Sequence, residues 1–208
     1  MVALDSTDVL ERGKEAPSFE LPGTDGETHS LSGFTDYDGV LVVFTCNHCP
    51  YAKAKFDEMN RLAAAYEDVA VVGVNPNDAG EYPADDFETM RARVEEGTIA
   101  FDAYLRDESQ TVAATYGAQC TPDPFLFENT ARAETSLSAD ETVGDGPFHL
   151  LYHGRLDDAL DPGAEVEDRE MRTHIDAMLA GEPVTDEFRP SRGCSIKWKP
   201  GNKPDYSG

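Results

Sequence analysis

The chain has 208 residues, the size of one generous domain, and 39% of them are hydrophobic, enough for a single core. Forty-one acidic against 17 basic residues leave a formal charge of −24. A surface so charged repels phosphates, which argues against nucleic acid and anionic membranes as partners, and no 18-residue apolar run is present to make a membrane-spanning helix.

Met1 to Leu10 carry acids and neither a basic nor an apolar stretch, so no secretory leader is expected and the protein is expected to be cytoplasmic. Residues 1–39 hold many turn formers (Pro17, Pro22, Gly23, Gly26, Gly33, Gly39) and predict a capping hairpin. Val40 to Phe44 is a β-branched apolar run, the pattern of a strand buried on both faces, and Cys46-Asn47-His48-Cys49 follows it at once. From Asn47 to Glu67, Phe56, Met59, Leu62, Ala63 and Tyr66 recur at spacings of three and four, which predicts a helix with Pro50 in its first turn. A strand at Val69 to Val74, a helix at Asp86 to Glu96, a strand at Tyr104 to Arg106 and a helix at Gln110 to Tyr116 are predicted next. They are followed by strands at Pro124 to Phe127 and Phe148 to Tyr152 and a last helix at Asp168 to Leu179. Residues 128–147 are polar and predict an insertion loop; Arg155, Asp157 and Asp158 predict a local ion-pair turn. The division expected is one domain over 1–188 and a basic tail over 189–208, where Arg189, Arg192, Lys197, Lys199 and Lys203 face a single acid, Asp205. That tail either frays or docks on the acidic body through Ile196 and Trp198.

A C-x-x-C between a buried strand and a helix puts a thiol beside unsatisfied helical N–H groups and the positive end of the helix dipole, and both favour thiolate. A thiolate attacks a disulfide, and a second thiol nearby displaces it from the mixed disulfide. Cys46 is expected to be the more exposed and more acidic of the pair, with His48 adding to its acidity. No buried acid stands among Val40 to Phe44, which leaves Lys53, His48 or water to move the proton. Thr121-Pro122 opens a later strand, and Cys120 precedes it. Cys194 sits in the tail. Cys120 and Cys194 are candidate auxiliary thiols: either both are inert, or the tail folds back and Cys194 pairs with Cys120 or, less directly, resolves a disulfide at Cys46.

Four stretches, Phe44-Thr45-Cys46-Asn47-His48-Cys49-Pro50-Tyr51, Cys120-Thr121-Pro122-Asp123-Pro124-Phe125-Leu126-Phe127, Tyr152-His153-Gly154-Arg155-Leu156-Asp157-Asp158 and Gly193-Cys194-Ser195-Ile196-Lys197-Trp198, resemble the peroxiredoxin-like (AhpC/TSA, redoxin) branch of the thioredoxin superfamily. The resemblance implies an α/β, thioredoxin-like fold: a central mixed sheet flanked by helices, an N-terminal hairpin extension and an insertion before the last hairpin. It implies Pro122 in cis against the active site and places Cys49 where peroxiredoxins keep their peroxide-reactive thiol. The peroxiredoxin P-x-x-x-T/S-x-x-C is broken here by Val42 and Cys46. The acidic composition, with six lysines, resembles proteins of salt-accumulating haloarchaea.

Three functions from different classes follow. The first is a cytoplasmic thiol–disulfide oxidoreductase with Cys46, Cys49, His48, Thr121 and Pro122 at its site. It needs no cofactor or metal, and its partners are protein or small-molecule disulfides and a dithiol reductant. The second is a thiol-dependent peroxidase with Cys49 as the peroxidatic thiol. The third is a non-enzymatic metal carrier using Cys46, His48, Cys49 and Cys120.

Overall fold

The computed structural model describes residues 3–132, 136–137, 141 and 144–206. The chain opens with β1 (Ala3–Asp5) and a hairpin of β2 (Glu20–Pro22) and β3 (Thr28–Ser30). It continues through β4 (Gly39–Phe44), α1 (Pro50–Lys53), α2 (Phe56–Ala65), β5 (Val69–Asn75), α3 (Phe87–Glu95), β6 (Ala103–Arg106) and α4 (Thr111–Tyr116). The remainder is β7 (Cys120–Thr121), β8 (Asp123–Asn129), β9 (Phe148–His153), α5 (Glu170–Leu179) and β10 (Arg192–Ser195). Among the described residues no helix is long and apolar enough to cross a membrane.

The central sheet runs β6-β5-β4-β8-β9, with β4, β5 and β6 parallel and β8 and β9 antiparallel. Strand residues alternate sides, so β4 divides its side chains between two cores. Val40, Val42 and Phe44 join Phe19, Leu31, Tyr116 and Phe125 on one face; Leu41 and Val43 join Met59, Leu62, Ile175 and Met178 on the other. Covering both faces is what makes the strand read as an unbroken apolar run. Each of these aliphatic side chains contributes about 1.5–3 kcal/mol on burial.

The helix expected from Asn47 to Glu67 is two helices, and it starts later. Pro50 occupies the first helical position, where its missing N–H has no intrahelical acceptor, so Cys49 is the N-cap and nothing before it is helical. The helix expected from Gln110 starts at Thr111, because Gln110 adopts a left-handed backbone (φ 64°). Its buried amide explains that choice: Nε2 donates to the Pro76 and Lys197 carbonyls at 2.7 and 2.8 Å, and Oε1 accepts the Lys199 N–H at 2.7 Å. Of the expected loop at 128–147, Glu128 and Asn129 belong to β8, Leu137 is buried in the second core, and 133–135, 138–140, 142 and 143 lie outside the described residues.

The expected ion-pair turn does not form. Arg155 instead grips Glu170 on α5 (2.5 and 2.8 Å), Asp157 takes Lys55, and Asp158 accepts the N–H groups of Glu167 and Asp168. These three residues tie the end of the sheet to the helices rather than to each other.

The tail is a structural element. β10 lies between β1 and β7 in a three-stranded antiparallel sheet, pairing Ala3 with Cys194 and Cys194 with Thr121. Ile196 is buried in the first core and Trp198 packs against it. Direct ion pairs add to this: Arg192 with Asp5 (2.8 Å), Arg189 with Glu170, and Lys199 with Glu108. Gly193 is required for the close approach, since a Cβ there would stand 2.1 Å from the Thr121 carbonyl oxygen.

Candidate active site

β4 delivers Thr45 and Cys46 to the carboxyl end of the parallel strands, and Cys49 is the N-cap of α1. The Thr121–Pro122 peptide is cis and faces both cysteines. The Thr121 hydroxyl lies 3.2 Å from Cys46 Sγ, and its carbonyl oxygen lies 3.4 Å from Cys49 Sγ. β10 closes over this pair, so Cys46, Cys49 and Cys194 share one buried cluster with Ala52, Phe56, Met90 and Tyr104. None of the four cysteines is in a disulfide.

The expectation that Cys46 is the more exposed and more acidic thiol is overturned. Cys46 and Cys49 are both 0% exposed. Burial, the neighbouring Cys49 and the Asp85 carboxylate push Cys46 well above the usual thiol range. Cys49 is held down at about 5, first by the Cys46 S–H, then against burial by the Cys194 S–H and by the Ala52 and Cys194 N–H groups. The reason is positional. Cys49, not Cys46, is the N-cap; it lies beside the Cys46 thiol, which contributes most, and near the Ala52 N–H of the first turn, which adds to it. As a thiol it has the Thr121 carbonyl as a single long acceptor; as a thiolate it has several donors.

Sequence reasoning missed Asp85. This carboxylate is fully buried and accepts the Asn47 N–H (2.7 Å), the His48 Nδ1–H (2.5 Å) and the Asn77 amide (2.8 Å). Burial opposes its charge, but those donors keep its pKa below the usual value. His48 is therefore committed to Asp85 rather than to the thiolate, and its ring stacks on Tyr82 at 5.0 Å. Its Nε2 is buried with no hydrogen-bond partner among the described residues. Lys53, the other expected proton carrier, is exposed on α1. Arg106 locks the Asp85 loop by donating to the carbonyls of Asn75, Asn77 and Asp85.

Cys120 lies apart. Opposed residues of an antiparallel pair share a face and neighbours along a strand do not. Cys194 faces Thr121 and the dithiol, whereas Cys120 pairs with Ser195 on the other face and points at Pro122 O (3.5 Å) and Ser191 Oγ (3.8 Å). The pairing of Cys194 with Cys120 is thus ruled out by register. Register also takes Cys120 out of the expected metal set of Cys46, His48, Cys49 and Cys120; among the described residues, the donors that converge within 4.8 Å of one another are Cys46, His48 and Asp85.

The acidity of Cys49 is directly measurable. Thiolate absorbance of the reduced protein is expected to titrate near pH 5, and Cys194→Ala, which removes one S–H donor, is expected to move that midpoint upward. A midpoint near the ordinary value of 9.0 would contradict the assignment.

A dithiol on a helix N-terminus, opposed by a cis-proline loop at the end of a mixed sheet, defines a thioredoxin-like redox protein. Residues 12–141 match the AhpC/TSA family model, and the chain belongs to that family. Among solved structures it is similar to an uncharacterized conserved protein from Geobacillus kaustophilus (37% identity over 97% of this chain and 98% of that one, TM-score 0.82). It is similarly related to a hypothetical protein from Sinorhizobium meliloti (35% identity, 95% and 99% covered, TM-score 0.81). A secreted disulfide oxidoreductase from Mycobacterium tuberculosis shares the fold (17% identity, 77% and 96% covered, TM-score 0.52). No curated protein matches the chain.

Proposed function

We propose that the protein is a thiol–disulfide oxidoreductase in which Cys49 attacks and Cys46 resolves. The observation that carries this reading is the placement of Cys49 at the N-cap, in one buried cluster with the Cys46 thiol and opposed by the Thr121 carbonyl. The Cys49 thiolate attacks a substrate disulfide, forming a mixed disulfide and releasing one thiol. Cys46 then loses its proton, attacks Cys49 Sγ and releases the second thiol, leaving a Cys46–Cys49 disulfide for a dithiol reductant to reopen. The proton of Cys46 passes to the His48–Asp85 pair, whose donor and acceptor atoms lie within 4.8 Å of its sulfur.

Magnitudes show what the acidity of Cys49 achieves. A thiol with its pKa near 9 is about 1% ionised at pH 7, so lowering it to about 5 raises the thiolate fraction about 100-fold. Intrinsic nucleophilicity falls with a Brønsted slope of about 0.4–0.5, which over about four units removes roughly 40- to 100-fold. Attack gains little. The gain is in leaving-group ability and in a stabilised reduced state, worth roughly 60 mV at pH 7 and directed upward from the thioredoxin value of about −270 mV.

The substrates on this reading are disulfides of proteins or small molecules, and the setting is a reducing cytoplasm. The test is reduction of insulin or an aryl disulfide coupled to a dithiol. Turnover lost in Cys49→Ser supports the reading, and turnover equal to that variant's background refutes it. A second reading, thiol peroxidase, is favoured by the same N-capped Cys49, with the Cys46 S–H standing where peroxiredoxins place a hydroxyl. Thiol-dependent consumption of hydroperoxide without disulfide reduction would select it.

A further inference from the structure

Resolution by Cys46 leaves Cys194 without a task, although the fold brings it to the same sulfur. β10 is pinned by β1 on one side and β7 on the other, and Gly193 lets it press onto the Thr121 carbonyl. The register then sets Cys194 opposite Thr121, on the face that carries Cys46 and Cys49. α1 packs against β10, so the N-cap sulfur and the strand thiol meet across that contact. Cys194 is 2% exposed, so its sulfur faces the dithiol rather than solvent.

We propose that Cys194 is a third redox-active thiol, which pairs with Cys49 so that the centre alternates between a Cys46–Cys49 and a Cys49–Cys194 disulfide. The inference rests on the reading of Cys49 as the attacking thiol. Starting from the Cys46–Cys49 disulfide, Cys194 loses its proton and its thiolate attacks Cys49 Sγ. The S–S bond to Cys46 breaks as the new one forms, and Cys46 leaves as a thiolate that takes up the proton. One disulfide and one thiol stand on each side, so no oxidant is needed. From a mixed disulfide at Cys49, the same attack expels the substrate thiol and completes a two-electron reduction of the substrate disulfide.

Burial and the adjacent Cys49 thiolate raise Cys194 to about 12, so it is a reluctant nucleophile while Cys49 is charged. Once Cys49 is in a disulfide that charge is gone and only burial still holds the Cys194 thiol up, so the brake is eased. The two pairings also differ mechanically. A Cys46–Cys49 bond lies within the loop before α1, whereas a Cys49–Cys194 bond clamps the tail strand onto α1 and fixes the cover over the site.

The experiment uses dithiobis(nitrobenzoate) on the reduced full chain, with aryl thiolate release followed by absorbance and products by peptide mapping. Cys46→Ser is expected to release two equivalents through Cys49 and to yield a Cys49–Cys194 peptide. Cys46→Ser/Cys194→Ala, which keeps a small apolar side chain at the buried position, is expected to release one and retain the aryl adduct on Cys49. If Cys46→Ser behaves like the double variant, the third-thiol role is overturned while Cys49 stands as nucleophile. If neither variant forms an adduct or disulfide at Cys49 while the wild-type chain is modified at Cys46, both readings fall together.

Discussion

Cys49→Ser is expected to stop disulfide exchange at its first step, and Cys46→Ser is expected to stop the Cys46 route at its second. Serine is a favoured N-cap residue of nearly the same size, so the fold is retained, but its hydroxyl does not ionise near neutral pH and forms no mixed disulfide. We expect turnover to fall by at least about 10³-fold, the scale on which loss of a nucleophile acts. Cys46→Ser should instead consume one substrate disulfide rapidly and then stall or divert through Cys194. Mass spectrometry of the two variants after exposure to an aryl disulfide separates these results. An adduct on Cys46 in the Cys49→Ser protein, formed as fast as the wild type reacts, would reverse the assignment of roles.

His153→Leu is expected to produce the largest loss of stability. His153 lies between β8 and the tail, 4% exposed, with Nε2–H donating to Asp123 at 2.8 Å and its ring stacked on Phe125 at 4.0 Å. Asp123 also accepts the Gln119 N–H and the Ser191 hydroxyl, so this one carboxylate joins the cis-proline loop to the segment leading into β10. Removing the imidazole leaves a buried charge without its counter-ion, at a cost of about 3–5 kcal/mol. For a chain of this size that is a fall in Tm of roughly 10 °C. Burial works against the charged ring, but Asp123 and then Asp8 outweigh it and raise its pKa to about 9. A raised folded-state pKa stabilises fully below the unfolded value of 6.5, and that stabilisation is lost as pH climbs towards 9. The wild type should therefore lose stability across this window and His153→Leu should not share that loss. Parallel thermal melts at pH 6 and pH 9 check both.

Much of the site's frame could be read from residue order. Val40 to Phe44 announced a doubly buried strand, and the C-x-x-C and Thr121-Pro122 stood where the family resemblance puts a dithiol and its cis-proline. Pro50 also carries a signal. A proline at the first helical position makes the preceding residue the N-cap, which points to Cys49 as the thiolate position from residue order alone. Asp85 was hidden for a different reason. It is one acid among forty-one, flanked by Glu81 and Asp86, and nothing local separates a buried carboxylate from a solvated one. β1 and β10 were invisible because strands of three and four residues hold too little alternation to register. Their pairing joins segments almost a full chain length apart, and no local pattern encodes that.

The sheet that joins β1 to β10 can close only after β10 has been synthesised. Cys46 and Cys49 leave the ribosome about 145 residues ahead of Cys194, an interval of roughly 7–30 s at ~5–20 residues per second. Throughout that time the strand that later covers the dithiol has not been synthesised, so the nascent chain displays its reactive pair to every disulfide and thiol nearby. A chain derivatised at Cys49 in that interval would receive its β10 strand over an occupied sulfur.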